Sequence, residues 1–185
     1  MTAMAHFAPR TGRSVADALR AARGADRWRL AVGSALGLGL IPVAPGSFAA
    51  LAGVLADAAV SVALPAGWHR PTLALLLAAV TAAHVALTPW AVRFWRDEDP
   101  GHFVLDEVAG YLAVAVLFRE GPLAARLAVG FLLFRVLDIV KIPPARQIDR
   151  EMHGPWGIVL DDLVSGAYAA LVMVALWRWV PGLAG

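Results

Sequence analysis

Five apolar stretches follow a polar N-terminal segment along this 185-residue chain. Short polar or charged segments separate them, and the stretches cover residues 30–64, 72–90, 103–118, 123–140 and 157–180. A helix that crosses a bilayer needs roughly 20 apolar residues. The pattern therefore predicts an all-α fold, a polytopic membrane helical bundle with about five spans.

The first apolar stretch is too long for one span, and Pro42, Pro45 and Gly46 interrupt it. Irregular backbone at membrane depth persists only where protein or a water-filled cavity satisfies its polar groups. We therefore predict a re-entrant or interfacial segment at residues 33–44, and a first span that begins near Gly46 and ends at Leu64.

The segment before these stretches is basic. Residues 1–29 contain six arginines, with Asp17 and Asp26 as the acids, and no apolar run of the kind a signal peptide requires. A basic segment beside a span is typical of the cytoplasmic membrane surface. We predict a cytoplasmic N-terminal arm at residues 1–29, with a short interfacial helix over 14–29, and a membrane domain at residues 30–185.

Composition supports a membrane protein. Hydrophobic residues make up 59% of the chain and charged residues 16%, whereas soluble domains contain roughly 25% charged residues. Cysteine is absent, which excludes disulfides and thiolate chemistry. Twelve of the 16 Lys and Arg residues fall on the side of the N-terminus, which predicts that this side is cytoplasmic. The net charge of +2 gives no indication of a nucleic-acid partner.

Ionisable residues at the ends of membrane spans are energetically costly and mark functional sites. They fall into groups that this topology places on one cytoplasmic face, together with the Pro/Gly turn at residues 41–47. The groups are Asp99 with Asp106 and Glu107; Arg135, Asp138, Lys141, Arg146, Asp149, Arg150 and His153; and Asp161 with Asp162.

Four of these carboxylates, Asp106, Glu107, Asp161 and Asp162, belong to two predicted helices. Carboxylates crowded at a low-dielectric boundary repel one another unless a divalent cation neutralises them. Magnesium prefers such hard oxygen ligands and keeps water and phosphate oxygens in its shell. Adjacent residues on a helix point about 100° apart, so the pattern leaves open which member of each pair binds metal.

Basic side chains beside such a site favour an anionic, phosphate-bearing substrate. Arg135, Asp138 and Lys141 share one helix face, and Arg146 and Arg150 share another if their segment is helical. Each group also has a purely structural interpretation: Arg135 to Lys141 as a salt-bridge ladder, the later arginines as topology anchors, and Asp161–Asp162 as a helix N-terminal pair.

The longest motifs resemble phosphatidylglycerophosphatase A, a bacterial inner-membrane enzyme family of phospholipid synthesis. The resemblance covers roughly residues 32–175 and is carried by GLIPVAPGS (39–47), DPGHFVLDEVAG (99–110) and FRVLDIVKIPPARQIDREMHGPWGIVLDDLVSG (134–166). The chain departs from the family pattern at Ala49–Ala50, where Gly-Ser is usual, at Ile142 and at Pro155.

The resemblance implies Mg²⁺-dependent hydrolysis of phosphatidylglycerophosphate to phosphatidylglycerol and phosphate, at the cytoplasmic side of the inner membrane. We expect a bilayer phospholipid as the substrate. The implied catalytic set is Asp106, Glu107, Asp138, Asp161 and Asp162, with Asp106, Glu107, Asp161 and Asp162 also as metal ligands. The implied substrate-binding set is Arg135, Lys141, Arg146, Arg150, Pro45, Gly46 and Ser47.

Other functions remain open from the sequence. The chain lacks the DG…AR…G…D…D motif expected of a phospholipid transferase. A transporter would have charged residues spread through the spans, whereas here they cluster at one face. A non-catalytic lipid-binding subunit would not need four acids. The nucleophile of a hydrolase is open between a metal-activated water, which we prefer, and an aspartate.

Overall fold

A computed structural model describes residues 12–180, and within that range the chain is all-helical, with eight α-helices and no strand. A 3₁₀ turn at Leu38–Leu40 precedes the third helix. The helices are α1 (Val15–Ala21), α2 (Ala25–Gly33), α3 (Pro45–Ala63), α4 (Ala66–Trp95), α5 (Leu105–Leu117), α6 (Leu123–Val140), α7 (Ala145–Glu151) and α8 (Pro155–Trp179).

Three helices, α3, α4 and α8, are long and apolar enough to cross a membrane, with 19, 30 and 25 residues. The other two predicted spans differ from a simple transmembrane helix. Helix α5 has 13 residues, which is about 20 Å of rise, and α6 has 18 residues that include Arg126, Arg135 and Asp138. The predicted start of the first span near Gly46 and the bounds of α6 agree with the structure.

The N-terminal region differs from the single interfacial helix that we expected over residues 14–29. Extended Ala22 ends α1, and Gly24, with φ +53°, is the N-cap of α2. Helix α2 runs through the predicted domain boundary at residue 29. Residues 1–11 and 181–185, including Arg10, lie outside the described residues.

The short helix α5 occupies the centre of the bundle. Ten of its thirteen residues are buried, and it packs against α8, α4 and α3. Tyr111 and Leu112, each 1% exposed, lie in the main apolar core with Phe134 of α6 and Met173 of α8. Helix α5, which begins with the predicted acidic residues, is therefore enclosed by other helices along most of its length.

Helices α5 and α8 cross in direct backbone contact at Gly110 and Gly166. A methyl group at Gly166 would overlap the carbonyl oxygen of Gly110, and one at Gly110 would overlap the Phe134 ring. Both helices contain the spacing Asp-x-x-x-Gly, with Asp106 four residues before Gly110 and Asp162 four residues before Gly166. One helical turn before the crossing, these two aspartates therefore face each other.

Helix α3 presents a face of small residues to α5. Ala49 and Ala50 are fully buried, and a methyl group at Gly53 would lie 3.0 Å from the Tyr111 ring. Gly46 continues the same face two turns nearer the acidic end. The alanines at positions 49 and 50 thus act in helix packing in this structure.

The two N-terminal helices dock against the end of α4 that is nearest the acidic residues. The Trp90 indole donates a 2.7 Å hydrogen bond to Asp26, and the Arg13 guanidinium lies 4.5 Å from the Phe94 ring centroid. A second apolar cluster, which includes Leu30 and Phe103, fills the space between them.

The Gly110–Gly166 contact predicts a sharp difference between two glycine substitutions. Gly166→Ala should lower the free energy of unfolding by about 1–3 kcal/mol, since the added methyl group meets rigid backbone. Gly67→Ala, in the first turn of α4, meets no atom within 4 Å and should be neutral or slightly stabilising. Unfolding titrations with sodium dodecyl sulfate in detergent micelles measure both, and equal effects would contradict the close crossing.

Candidate active site

A cavity of about 740 Å³ opens at the end of the bundle where α3, α5 and α8 begin and α6 ends. Members of each charged group that the sequence singled out line it, together with Pro45 of the turn before α3. The predicted site residues in the lining are Pro45, Asp106, Glu107, Asp138, Lys141, Asp161 and Asp162, and Asp99 and Asp149 also contribute.

Three carboxylates form the centre of this cavity. Asp106, Glu107 and Asp162 each offer one oxygen, and these three oxygens lie within 4.8 Å of one another. Asp106 and Glu107 are in the first turn of α5, and Asp162 comes from α8. Asp161, which we also predicted as a metal ligand, lies outside this group.

Each carboxylate of this cluster has one buried oxygen that accepts no hydrogen bond. Asp106 Oδ1, Glu107 Oε2 and Asp162 Oδ2 are each buried and have no hydrogen-bond partner. Within residues 12–180, none of the three carboxylates forms a salt bridge with Lys or Arg. Burying unpaired negative charges is costly, and a divalent cation with hard oxygen ligands fits this donor set.

Gly46 provides the space that the Glu107 side chain occupies. A methyl group at position 46 would overlap Glu107 Oε1 and would lie 3.2 Å from Arg135 Nη2. Pro45 and Gly46 form the first turn of α3, where proline is favoured because its missing N–H is not needed. The absence of a side chain at Gly46 lets α3 approach the Glu107 carboxylate, and the predicted contact of Gly46 with substrate stays a prediction.

Arg135 and Asp138 form a pair at the edge of the carboxylate cluster. Arg135 Nη1 donates a 2.7 Å hydrogen bond to Asp138 Oδ2 across one turn of α6. Asp138 is 8% exposed and lines the cavity, whereas Arg135 lies behind it, beside Gly46. This pair matches the predicted ladder in part, since Lys141 has other partners.

Lys141 joins the last two helices. Its ammonium group donates a 2.7 Å hydrogen bond to Asp149 of α7 and a second hydrogen bond to Asp161 of α8. Burial would lower the pKa of Lys141, but the bonds to Asp149 and Asp161 outweigh burial and raise that pKa above its ordinary range. Lys141 therefore stays protonated, and it faces the cavity with Asp161 as its counter-ion.

Three predicted substrate ligands, Arg146, Arg150 and Ser47, do not line the cavity. Arg146 donates hydrogen bonds to the carbonyls of Val140 (3.1 Å) and Lys141 (2.9 Å), so it caps the C-terminal end of α6. Arg150 is exposed on α7, and neither it nor Ser47 lines the cavity. Arg146 and Arg150 lie on a helix, as predicted, but His153 falls beyond its end.

Asp161 and Asp162 lie deeper than we expected. Helix α8 begins at Pro155, and its first turn contains no acidic residue. Asp162 is therefore about 10 Å inside the helix. The alternative interpretation of this pair as a helix N-terminal cap does not hold, because both side chains point at other helices.

A second buried charged cluster was not predicted from the sequence. Asp57 of α3 is 1% exposed and pairs with Arg119 and with Arg126, which lies 3.4 Å away. Ser61 accepts hydrogen bonds from both arginines, and Arg70 donates to the Val116 carbonyl nearby. The cluster connects the last turn of α5 to α3, α4 and α6. The sequence signal that could have indicated it is Asp57, a single acid inside an apolar run.

The family model and the relatives that match this chain are named as phosphatases. The family model described as phosphatidylglycerophosphatase A matches residues 31–177. No solved structure matches the chain.

The chain matches three relatives over most of their lengths. A Bacteroides thetaiotaomicron protein named "Putative phosphatidylinositol-3-phosphatase" is 30% identical over 152 residues, which is 82% of this chain and 94% of that protein. Phosphatidylglycerophosphatase A of Escherichia coli K12 is 31% identical over 144 residues, 78% of this chain and 79% of the relative. Phosphatidylglycerophosphatase A of Haemophilus influenzae is 31% identical over 168 residues, 82% of this chain and 88% of the relative.

The match extends from α2 to α8 and includes every residue that lines the carboxylate cavity. The apolar helices α3, α4 and α8 are those of a membrane protein. This chain therefore belongs to the phosphatidylglycerophosphatase A family of phosphatases.

Proposed function

We propose that the chain hydrolyses the terminal phosphomonoester of phosphatidylglycerophosphate, giving phosphatidylglycerol and phosphate. The observation that carries this proposal is the convergence of three buried carboxylate oxygens, from α5 and α8, within 4.8 Å of one another. Membership of the family supports the substrate, and the cationic residues beside the cavity suit a phosphate group.

Asp106, Glu107 and Asp162 would hold a magnesium ion. When bound, such an ion neutralises the carboxylates and supplies a positive charge for phosphoryl oxygens. Asp106 and Glu107 reach the site from the same helical turn, and Asp162 reaches it across the Gly110–Gly166 crossing. Gly46 leaves the space in which Glu107 adopts this position.

Lys141 supplies the fixed positive charge that faces the cavity, and Arg135 lies behind Asp138. Lys141 lines the cavity, and we assign it to a phosphoryl oxygen, while Asp161 holds its ammonium group in place. We assign Asp138, oriented by Arg135, to accept a proton from the attacking water. Substrate contacts stay predictions for the other members of the substrate-binding set: Arg135, Arg146, Arg150, Pro45, Gly46 and Ser47.

We further propose five spans, formed by α3, α4, α5, α6 and α8, with the N-terminus and the cavity in the cytoplasm of a bacterial inner membrane. Helix α5 is short, and Arg119, which follows its C-terminal end, is paired with Asp57 of α3. Twelve of 16 Lys and Arg residues support this orientation. Residues 1–29 would form the cytoplasmic arm of the domain that follows.

The names of the relatives give two lipid substrates to compare in a test of specificity. Both phosphatidylglycerophosphate and phosphatidylinositol 3-phosphate carry a phosphomonoester on a lipid headgroup. Purified protein in detergent should release phosphate from phosphatidylglycerophosphate when Mg²⁺ is present and should stop in excess chelator. Release that persists in the chelator would remove the metal from the mechanism, and faster release from the inositol lipid would overturn the proposed substrate.

Single amide substitutions test the carboxylate cluster. Asp106→Asn and Asp162→Asn should each lower kcat by at least about 100-fold, because each removes a charge from the proposed metal ligands. Asp17→Asn, at an exposed salt bridge in α1, provides the control and should retain full turnover. Circular dichroism checks folding, and wild-type turnover in the folded Asp106 and Asp162 variants would exclude these residues from the site.

The contacts of Lys141 predict a local change in α7. Lys141→Gln removes the cation between Asp149 and Asp161, so amide hydrogen exchange in Ala145–Glu151 should accelerate by roughly 10- to 100-fold. Arg150→Gln changes a cation of the same helix that has no protein partner within residues 12–180, and should leave exchange unchanged. Equal exchange in the two variants would show that Lys141 does not fasten α7.

A further inference from the structure

A second cavity lies at the N-terminal edge of the molecule, between α1, α2 and the turn before α3. Its volume is about 380 Å³, which is within the range of small-molecule sites. Its lining is mainly apolar, with Leu19, Leu30, Leu36 and Leu40 on its walls and Arg27 as its charged residue. We call this cavity, defined by these five residues, the arm groove.

Leu36 is held in a conformation that leucine adopts rarely. Ala35, Leu36 and Gly37 all have positive φ, at +48°, +60° and +99°, and the side chain of Leu36 is 87% exposed. The turn is fixed by hydrogen bonds from Leu36 N to the Ala31 carbonyl (2.7 Å) and from Gly37 N to Ser34 Oγ (3.0 Å). Strained residues that the surroundings hold in place cluster at ligand clamps.

The arm groove is surrounded by excess positive charge. Residues 12–33 contain five arginines and two aspartates, and both aspartates already have partners: Asp17 pairs with Arg20, and Asp26 with Arg29 and Trp90. Arg27 uses only its Nε, in a 3.4 Å hydrogen bond to the Ala22 carbonyl. Its two terminal nitrogens have no acceptor within residues 12–180, so they are available to an anion.

The position of the arm groove indicates that a membrane lipid can reach it. Four residues separate Leu40 from Pro45, the first residue of the apolar helix α3. Trp28 and Val32 are exposed on α2, and tryptophan is enriched at membrane interfaces. Gly33 packs against Phe103, which lines the carboxylate cavity, so the arm groove and the site lie at the same end of the bundle.

We propose that the arm groove binds one acyl chain of an anionic phospholipid in the leaflet that faces the active site, with its headgroup phosphate on Arg27. The apolar walls and Leu36 receive the chain, and Arg27 holds the headgroup phosphate. A zwitterionic headgroup adds a cation beside that phosphate, which Arg27 and the excess positive charge around the groove repel, so an anionic headgroup is favoured. The groove would keep an anionic lipid beside a site that acts on anionic lipids. Its occupancy is measured without turnover, so failure of the proposed phosphatase activity would not affect the result.

The absence of cysteine makes the test site-specific. Val32 is exposed on α2, beside the arm groove but not in its lining, so a label on Val32→Cys reports on lipid at the groove. Leu75 on α4 is 71% exposed, and a label on Leu75→Cys reports on bulk lipid. Each variant is labelled with a fluorophore and reconstituted in mixed phosphatidylglycerol and phosphatidylcholine vesicles. A nitroxide on the acyl chain of one lipid or the other quenches the label, and the ratio of the two quenching values is compared between positions.

We expect the ratio of quenching by phosphatidylglycerol to quenching by phosphatidylcholine to be several-fold higher at position 32 than at position 75. Arg27→Gln should bring the two ratios together. Arg23→Gln, at an exposed arginine of the same arm that does not line the groove, is the matched control and should preserve the difference. Equal ratios at both positions, or equal effects of the two arginine substitutions, would overturn the proposal, because diffuse surface charge would then explain any enrichment.

Discussion

The backbone contact between Gly110 and Gly166 sets the geometry on which the site depends. Side chains larger than hydrogen would separate α5 from α8, and the acids one turn earlier would move apart with them. Because α5 and α8 begin at the same end of the bundle, the shared Asp-x-x-x-Gly spacing places Asp106 opposite Asp162. The close approach of two helices thus determines how near two charges come.

The charges of the bundle are divided between its two ends. Asp57 meets its cations at one end of α5, in a cluster closed by Arg119 and Arg126. At the other end, Asp106 and Glu107 form no salt bridge within residues 12–180. A cluster whose charges are paired fixes the central helix, and one without paired cations leaves room for the proposed ion and phosphate group.

Some helix bounds and the identity of the charged groups could be predicted from the sequence, because apolar length and isolated acids are local signals. The bounds of α6 and the start of α3 are examples. The longer helix α4 (Ala66–Trp95) and the division of residues 14–29 between α1 and α2 could not be predicted. The partners of each acid could not be predicted, since they depend on rotation about helix axes. Asp161 and Asp162 are adjacent in sequence, yet one faces Lys141 and the other faces α5. The role of Arg146 as a cap of α6 likewise depends on the turn between two helices.

Metal-directed backbone cleavage tests the central arrangement most directly. Fe²⁺ added to the purified protein in place of the proposed Mg²⁺, with ascorbate and hydrogen peroxide, would cut the chain near the residues that bind it. If the carboxylates of α5 and α8 share one cation, fragments should end both near Asp106–Glu107 and near Asp162, and excess Mg²⁺ should suppress both sets. Cleavage confined to one of these helices, or located elsewhere in the chain, would contradict the shared site.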